Sequence, residues 1–292
     1  MQALWMLLAS LFFASMGVCV KFASSYFNSA ELILYRGLVG IAFMWALARA
    51  QHITLATRFP GMHAWRSLVG VMSLGAWFYA LAHLPLATAM TLNYMSSVWI
   101  AAFLVGGSLL FGRIPKQGPL VLTVMLGFVG VVLMLRPTFD HHLAFAGLIG
   151  LLSGMGAAFA YMQVMALSRL GEPETRVVFY FSVGSVLAGG AAMLLTGASP
   201  WLWPSALWLI PVGVLASLGQ LCMTRAYSHG STLVVANLQY SGIVFGAIYS
   251  VALFGDAIAL MGWAGMGLIV ISGIAATVLR QHAIPQAPAE EH

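Results

Sequence analysis

Residues 79–98 read YALAHLPLATAMTLNYMSSV, and residues 225–244 read RAYSHGSTLVVANLQYSGIV. Set 146 positions apart, the two stretches align Ala80 with Ala226, His83 with His229, Leu92 with Leu238 and Tyr94 with Tyr240, and they set Asn93 opposite the chemically similar Gln239. After a three-residue shift, Phe111-Gly112 meets Phe254-Gly255 and Gly130 meets Gly273, while Met16-Gly17 near the start resembles Met155-Gly156. Single identities between apolar segments carry little weight. Their common order along the chain reads as a duplication.

Composition says what kind of unit was duplicated. Of 292 residues, 61% are hydrophobic and only 7% are charged, against about 25% charged in soluble domains. So few charges leave most of the surface to lipid. A helix crosses the hydrocarbon core with about 20 apolar residues, and ten such runs are present: 3–23, 30–49, 64–83, 87–111, 117–135, 145–168, 174–196, 207–227, 231–254 and 259–279. The runs are too long and too uniformly apolar for barrel strands. The fold class is therefore all-α integral membrane, with ten transmembrane helices as two five-helix repeats. The repeats are expected at 3–136 and 145–280, followed by a disordered cytoplasmic tail at 281–292 that carries Pro285, Pro288, Glu290 and Glu291. Five is odd, so the second repeat enters the membrane upside down, and inverted repeats build a site between their halves near the midplane.

Basic residues set the orientation. With a cytoplasmic N-terminus the inner side holds Arg49, Arg58, Arg66, Arg113, Lys116, Arg169, Arg176, Arg225 and Arg280, and the outer loops hold Arg136 alone. That bias places both termini in the cytoplasm of a bacterial inner (plasma) membrane protein, with Trp201 and Trp203 in an outer aromatic belt. The first twenty residues carry no positive charge, so the opening segment reads as a retained span rather than a signal peptide. Twelve Lys and Arg spread over short loops form no nucleic-acid patch. Cys19 and Cys222 fall inside apolar runs, so neither a disulfide framework nor a metal site is expected.

Two tandem five-helix units, the run Leu92-Asn93-Tyr94-Met95-Ser96-Ser97, the run Leu238-Gln239-Tyr240-Ser241 followed by Phe254-Gly255-Asp256, and Tyr35-Arg36-Gly37 in the second span resemble the drug/metabolite transporter superfamily, EamA type. The resemblance covers roughly residues 3 to 280. Ser97 stands where family members usually have proline, and Gly112-Arg113 and Gly255-Asp256 stand where they often have Gly-Glu. The resemblance implies carriage of amino acids, their derivatives, nucleosides or vitamins and leaves the cargo open.

Polar side chains within a bilayer are costly and turn toward the bundle interior. The candidates are Arg36 in the second span, Asn93, Tyr94 and Trp99 in the fourth, Tyr161 and Gln163 in the sixth, and Asn237, Gln239 and Tyr240 in the ninth. Amides would bind polar cargo and rings its apolar part; the competing use of the same groups is to hold helices together. Lys21 and Arg36 either meet an anionic group or snorkel, Arg36 with Glu31 as a structural partner. His83 and His229, repeat mates at helix ends, are gate or proton candidates, or helix-end caps. Gly150/Gly154 and Gly242/Gly246 have the spacing of close helix contacts.

No acid lies in the middle of a span, no phosphate-binding loop appears and no cofactor is implied. The expected function is secondary transport of a small-molecule substrate, with export of an amino acid or derivative, by a monomer or homodimer in contact with lipid. An importer of a cationic or aromatic metabolite such as S-adenosylmethionine or riboflavin is the alternative. An intramembrane enzyme would need a nucleophile with a base at membrane depth, and Ser73 and Ser153 have neither the Gly-x-Ser-x-Gly setting nor such a base. A reporter fused after His292 is expected to be active in the cytoplasm and silent in the periplasm; the opposite result would reverse every inner and outer assignment.

Overall fold

The computed structural model describes residues 4–96, 98–100, 102–103, 118–135, 141–200, 203–229, 235 and 238–283. These form ten α-helices and, among the described residues, no strand. They are α1 (Trp5–Ala23), α2 (Ser29–Ala50), α3 (Pro60–His83), α4 (Leu86–Asn93), α5 (Gly118–Leu135), α6 (His141–Arg169), α7 (Glu174–Thr196), α8 (Leu209–His229), α9 (Ser241–Phe254) and α10 (Leu260–Ala283), with a 3-10 turn at Ser205–Trp208 leading into α8. Each falls on one of the ten expected spans. The expected tail at 281–292 begins inside α10; its remainder, like Ser97, Arg113, Lys116, Arg136, Trp201 and Asn237, lies outside the described residues.

Five segments are each long and apolar enough to cross a membrane: Trp5–Ala23, Ser29–Ala50, Leu143–Arg169, Glu174–Thr196 and Ser205–His229. Shorter apolar helices lie at Val121–Leu133, Ser241–Phe254 and Leu260–Ala275. The helix α3 is longer than three of these five, yet less apolar, because it carries His63, Arg66, Ser67 and Ser73, which it buries inside the bundle. Large apolar side chains such as Met72, Leu187, Leu194 and Leu195 point outward, as they do where lipid replaces water.

The helices pair by a rule. The dominant contacts are α2 with α7, α5 with α10, α3 with α6 and α1 with α8, followed by α2 with α8, α3 with α7, α4 with α9, α1 with α9 and α4 with α6. Exchanging each helix with the one five places along maps every one of these pairs onto itself or onto another in the set. Two five-helix units related by an approximate two-fold axis give that pattern.

The units also share a defect. After Asn93 the ladder tightens, with Met95 N–H bonding the Leu92 carbonyl at 3.3 Å, and helical backbone resumes at Ser96. Before α9, Gly242 N–H bonds the Gln239 carbonyl at 3.1 Å and Ile243 N–H the Tyr240 carbonyl at 3.0 Å. Three-residue hydrogen bonds of this kind mark a local change of helix type. Both occur at the duplicated Asn-Tyr and Gln-Tyr pairs.

Loops meet in two clusters at opposite ends. At one end a capping box starts α2, with Asn28 and Glu31 bonding each other's backbone N–H, and Glu31 also accepts from Ser199 N–H at 2.8 Å and Ser199 Oγ at 2.6 Å. The Glu31–Arg36 pair, one of the two alternatives for Arg36, does not form: the Glu31 carboxylate is engaged at the helix end. Lys21 Nζ donates to the Leu84 carbonyl at 2.6 Å, and its ammonium lies 5.5 Å from the Phe254 ring centroid. At the other end Glu172, between α6 and α7, accepts from Thr57 Oγ1 at 2.9 Å and Arg176 Nη1 at 3.1 Å, and lies 3.2 Å from His63 Nε2.

Burial works against the charge on Glu172, but hydrogen bonds from Thr57, His63 and Arg176, with the Arg176 charge, hold its carboxyl below the usual carboxylate range. A depressed carboxylate stabilises the fold above its unfolded value of about 4.3 and loses that contribution as pH falls through its lower folded value. Glu172→Gln is expected to lower stability at neutral pH by roughly 1–3 kcal/mol, read as the melting temperature in detergent. The gap between variant and parent should close on acidification below the unfolded value. A gap that ignores pH would show that the carboxylate charge is not what ties these loops.

Candidate functional site

A cavity of about 60 Å³ lies at the centre of the bundle. Its wall is drawn from both units: Phe13 and Met16 of α1, Arg36 of α2, Arg66, Gly70, Ser73, Leu74 and Trp77 of α3, Asn93 and Tyr94 at the end of α4, Ala157, Ala160 and Tyr161 of α6, Phe181 of α7, and Gln220 and Met223 of α8. On α3 the lining positions recur every three or four residues from Arg66 to Trp77, which is one face of a helix. The volume admits a few waters and is well below that of a pocket closed around a whole drug-sized ligand.

The chemistry of the wall is cationic and aromatic. Arg36 is 4% exposed and Arg66 is 2% exposed. Their guanidinium carbons lie 4.8 and 4.1 Å from the centroid of the same Phe181 ring, close enough for each cation to interact with the ring face. Arg36 Nη1 donates to Ser185 Oγ at 3.2 Å and Arg66 Nη2 to Gln220 Oε1 at 3.1 Å. Asn93 Nδ2 donates to Ser153 Oγ at 3.0 Å, and that hydroxyl donates to the Gly150 carbonyl at 2.6 Å. Close backbone approach makes the Asn93 corner possible: a Cβ at Gly154 would collide with the Leu92 carbonyl oxygen and come within 3.1 Å of that of Asn93.

Of the residues expected in a site, Arg36, Asn93, Tyr94 and Tyr161 meet at this cavity. The others are placed elsewhere. Gln239 is bonded at both ends of its amide, Oε1 accepting from Tyr227 Oη at 2.8 Å and Nε2 donating to Ser96 Oγ at 3.1 Å. Tyr240 is buried against Gly273 of α10. Trp99 Nε1 donates to the Leu151 carbonyl at 3.2 Å, its ring packed with Phe103 and Phe128. Gln163 on α6 does not reach the cavity wall.

The two candidate histidines lie at helix ends. His83 is exposed, its Nδ1 donating to the Tyr79 carbonyl at 2.8 Å and its ring stacked 4.2 Å from that of Tyr79. The His229 side chain is 54% exposed and lies 3.3 Å from Glu174. A third histidine is the buried one. His63 stands one turn before Arg66 on α3, packed 4.6 Å from the Tyr180 ring and against Glu172. It belongs to the cluster that closes the bundle beneath the cavity.

Arg66 is the correction that matters most. Counted as a loop charge it fits the inner positive bias, but the fold buries it inside α3 on the cavity wall. The signal was present in the spacing of Arg66, Gly70, Ser73 and Trp77. Gln220 carries the same signal as Gln163 and Gln239, an amide within a span, and was missed; the apolar ring of Phe181 carries none that sets it apart from other phenylalanines in spans. Cys19 and Cys222 are buried free thiols, and among the described residues no His, Cys, Asp and Glu group could hold a metal.

Comparison with known proteins agrees with this architecture. The model of the EamA-like transporter family matches residues 1–136. The pseudopaline exporter CntI of Pseudomonas aeruginosa (strain UCBPP-PA14) is 32% identical over 278 residues, covering 92% of this chain and 93% of that one. The riboflavin transporter of Rhizobium johnstonii (strain DSM 114642 / LMG 32736 / 3841) is 26% identical over 278 residues, 93% of this chain and 89% of that one. A solved structure titled only as the crystal structure of a protein has the same fold, with a TM-score of 0.67 at 18% identity over 97% of this chain and 99% of the other.

The placement of Gln239 makes a prediction that separates packing from binding. Gln239→Leu removes the hydrogen bonds to Tyr227 and Ser96 and is expected to cost about 1–2 kcal/mol of stability in detergent, with cargo affinity unchanged in protein that remains monodisperse. Unchanged melting with weakened affinity would place Gln239 in the binding site instead.

Proposed function

The chain belongs to the EamA-like transporter family of the drug/metabolite transporter superfamily, and on that basis we propose that it exports a small amino acid or amino-acid derivative across a bacterial inner membrane by alternating access. The observation that carries the reading is the central cavity, walled by side chains from both five-helix units and lined by two buried arginines, an amide corner and several rings. Alternating access uses two units that rock about a fixed site. We take these units as residues 3–136 and 145–280, with both termini in the cytoplasm.

Export is supported by the name of the pseudopaline exporter relative. An importer of an aromatic metabolite is the second reading. It is favoured by the riboflavin transporter relatives and by the rings of Phe13, Trp77, Tyr94, Tyr161 and Phe181 around the cavity. A cationic cargo such as S-adenosylmethionine would meet two guanidinium groups, and like charges at low dielectric repel strongly. The family and its named relatives are transporters rather than enzymes. The hydroxyls that an enzyme reading would need are engaged in structure, Ser73 Oγ donating to the Ser153 carbonyl and Ser153 Oγ to that of Gly150.

Uptake and counterflow in reconstituted vesicles, run against a panel of amino acids and their derivatives, test the reading. Asn93→Leu and Tyr161→Phe each remove a polar group from the wall. Each is expected to weaken apparent affinity for the transported compound by roughly 5- to 150-fold, the equivalent of 1–3 kcal/mol. Folded variants that carry cargo as tightly as the parent would move the site away from this cavity.

A further inference from the structure

Two cations stand inside the bundle with no acid beside them among the described residues. Arg36 and Arg66 have neutral partners, Ser185 and Gln220. Nε of Arg36, and Nε and Nη1 of Arg66, are buried with no hydrogen-bond partner among the described residues. The described acids are engaged at the helix ends: Glu31 with Ser199, Glu172 with His63 and Arg176, Glu174 with His229, and Asp256 with Ser250. An unpaired charge in a low-dielectric interior is held at high cost, and breaking a buried pair is damaging for the same reason. Both arginines also lie against one ring, so each feels the other's repulsion as well as the attraction of that ring. An anion would offset both charges, and a carboxylate matches the planar fork of guanidinium donors.

We propose that the cargo is an organic anion with at least two carboxylates, one held by Arg36 and one by Arg66, and that it crosses with net negative charge, so that an inside-negative membrane potential drives its exit. This deepens the export reading and rests on the cavity being the transport site. The contracted cavity accepts the end groups first, and the helices must separate to admit the remainder.

The same charge distribution accounts for the coupling. No acid lies in the middle of any of the ten spans, so no carboxylate is placed to carry a co-transported proton. His83 and His229 lie outside the cavity, and His63 is engaged with Glu172. An anion leaving the cell needs no such partner. Over a full cycle the carrier returns to its starting state, so the net charge moved is the charge of the cargo. Each net negative charge then adds about 50-fold to the outward accumulation ratio per 100 mV, by the work of moving one charge through that potential.

The test uses the full chain with iminodiacetate and L-glutamate as dicarboxylate probes and L-glutamine as the neutral control. In detergent, both dicarboxylates are expected to raise the melting temperature well above any effect of L-glutamine. Arg36→Gln and Arg66→Gln should each weaken that protection by roughly 10- to 100-fold in apparent affinity, while Arg66→Lys keeps part of it. In potassium-loaded liposomes with valinomycin, an imposed potential should change L-glutamate accumulation according to its charge and leave L-glutamine unaffected. If L-glutamine protects and is carried as well as L-glutamate, or if accumulation of L-glutamate ignores the potential, the anion proposal fails and the transport site stands. If no probe, charged or neutral, protects or is carried by monodisperse parent protein, both readings fall together.

Discussion

A peptide N–H or carbonyl left without a partner in hydrocarbon costs several kcal/mol, and the rest of this structure follows from meeting that demand within one chain. Helices meet it along most of their length. Hydroxyls join in by turning back on their own helix: Thr91 bonds the Ala87 carbonyl, Ser182 that of Val178, Ser185 that of Phe181 and Ser217 that of Gly213. Where the ladder tightens at 94–95 and 239–240, amides next to the irregular turns link neighbouring helices, Asn93 through Ser153 and Gln239 through Tyr227 and Ser96. Irregular backbone at membrane depth is tolerated where it is enclosed by protein or lines a cavity. One of the two turns lies on the cavity wall and the other is sealed by its hydrogen bonds.

Charge is partitioned as strictly as hydrogen bonding. At the helix ends the described acids all have partners, Glu172 gathering Thr57, His63 and Arg176 while Asp256 accepts from Ser250. In the interior two arginines have no acidic partner among the described residues. A protein under selection for stability alone has an inexpensive remedy, since replacing a buried charge with an apolar side chain of similar volume is often neutral or stabilising. The ring of Phe181 and the single hydrogen bonds that Arg36 donates to Ser185 and Arg66 to Gln220 keep the two cations in place without neutralising them.

Four of the candidate binding residues read from the sequence, Arg36, Asn93, Tyr94 and Tyr161, meet at one cavity, and four others, Trp99, Gln163, Gln239 and Tyr240, do not. One signal, a polar or aromatic group within a span, selected all eight. It shows that a side chain must find a partner and leaves open whether that partner is a neighbouring helix or a cargo. The repeat mates Asn93 and Gln239 make the point: equivalent in sequence, they differ because the helices around them are not related by perfect symmetry. Arg66 was lost to a second ambiguity, since a basic residue near the start of a span serves equally well as a topology signal and as a buried ligand group.

The sequence by itself determined the number of the spans and where each falls to within a few residues for most of them, the duplication and hence the inversion of its second copy, and the absence of acids at membrane depth. These follow from composition and spacing, because a bilayer sets the length of a helix and an odd number of spans sets its direction. Only the tertiary structure decided which way each helix is turned about its own axis. A rotation of one residue, 100° in an α-helix of 3.6 residues per turn, separates a side chain that faces the cavity from one that faces a neighbour. That rotation is set by where the glycines let helices touch, as Gly154 does beneath Asn93 and Gly70 does beside Phe181. Such contacts join residues far apart in the chain, and no local pattern of residues specifies them.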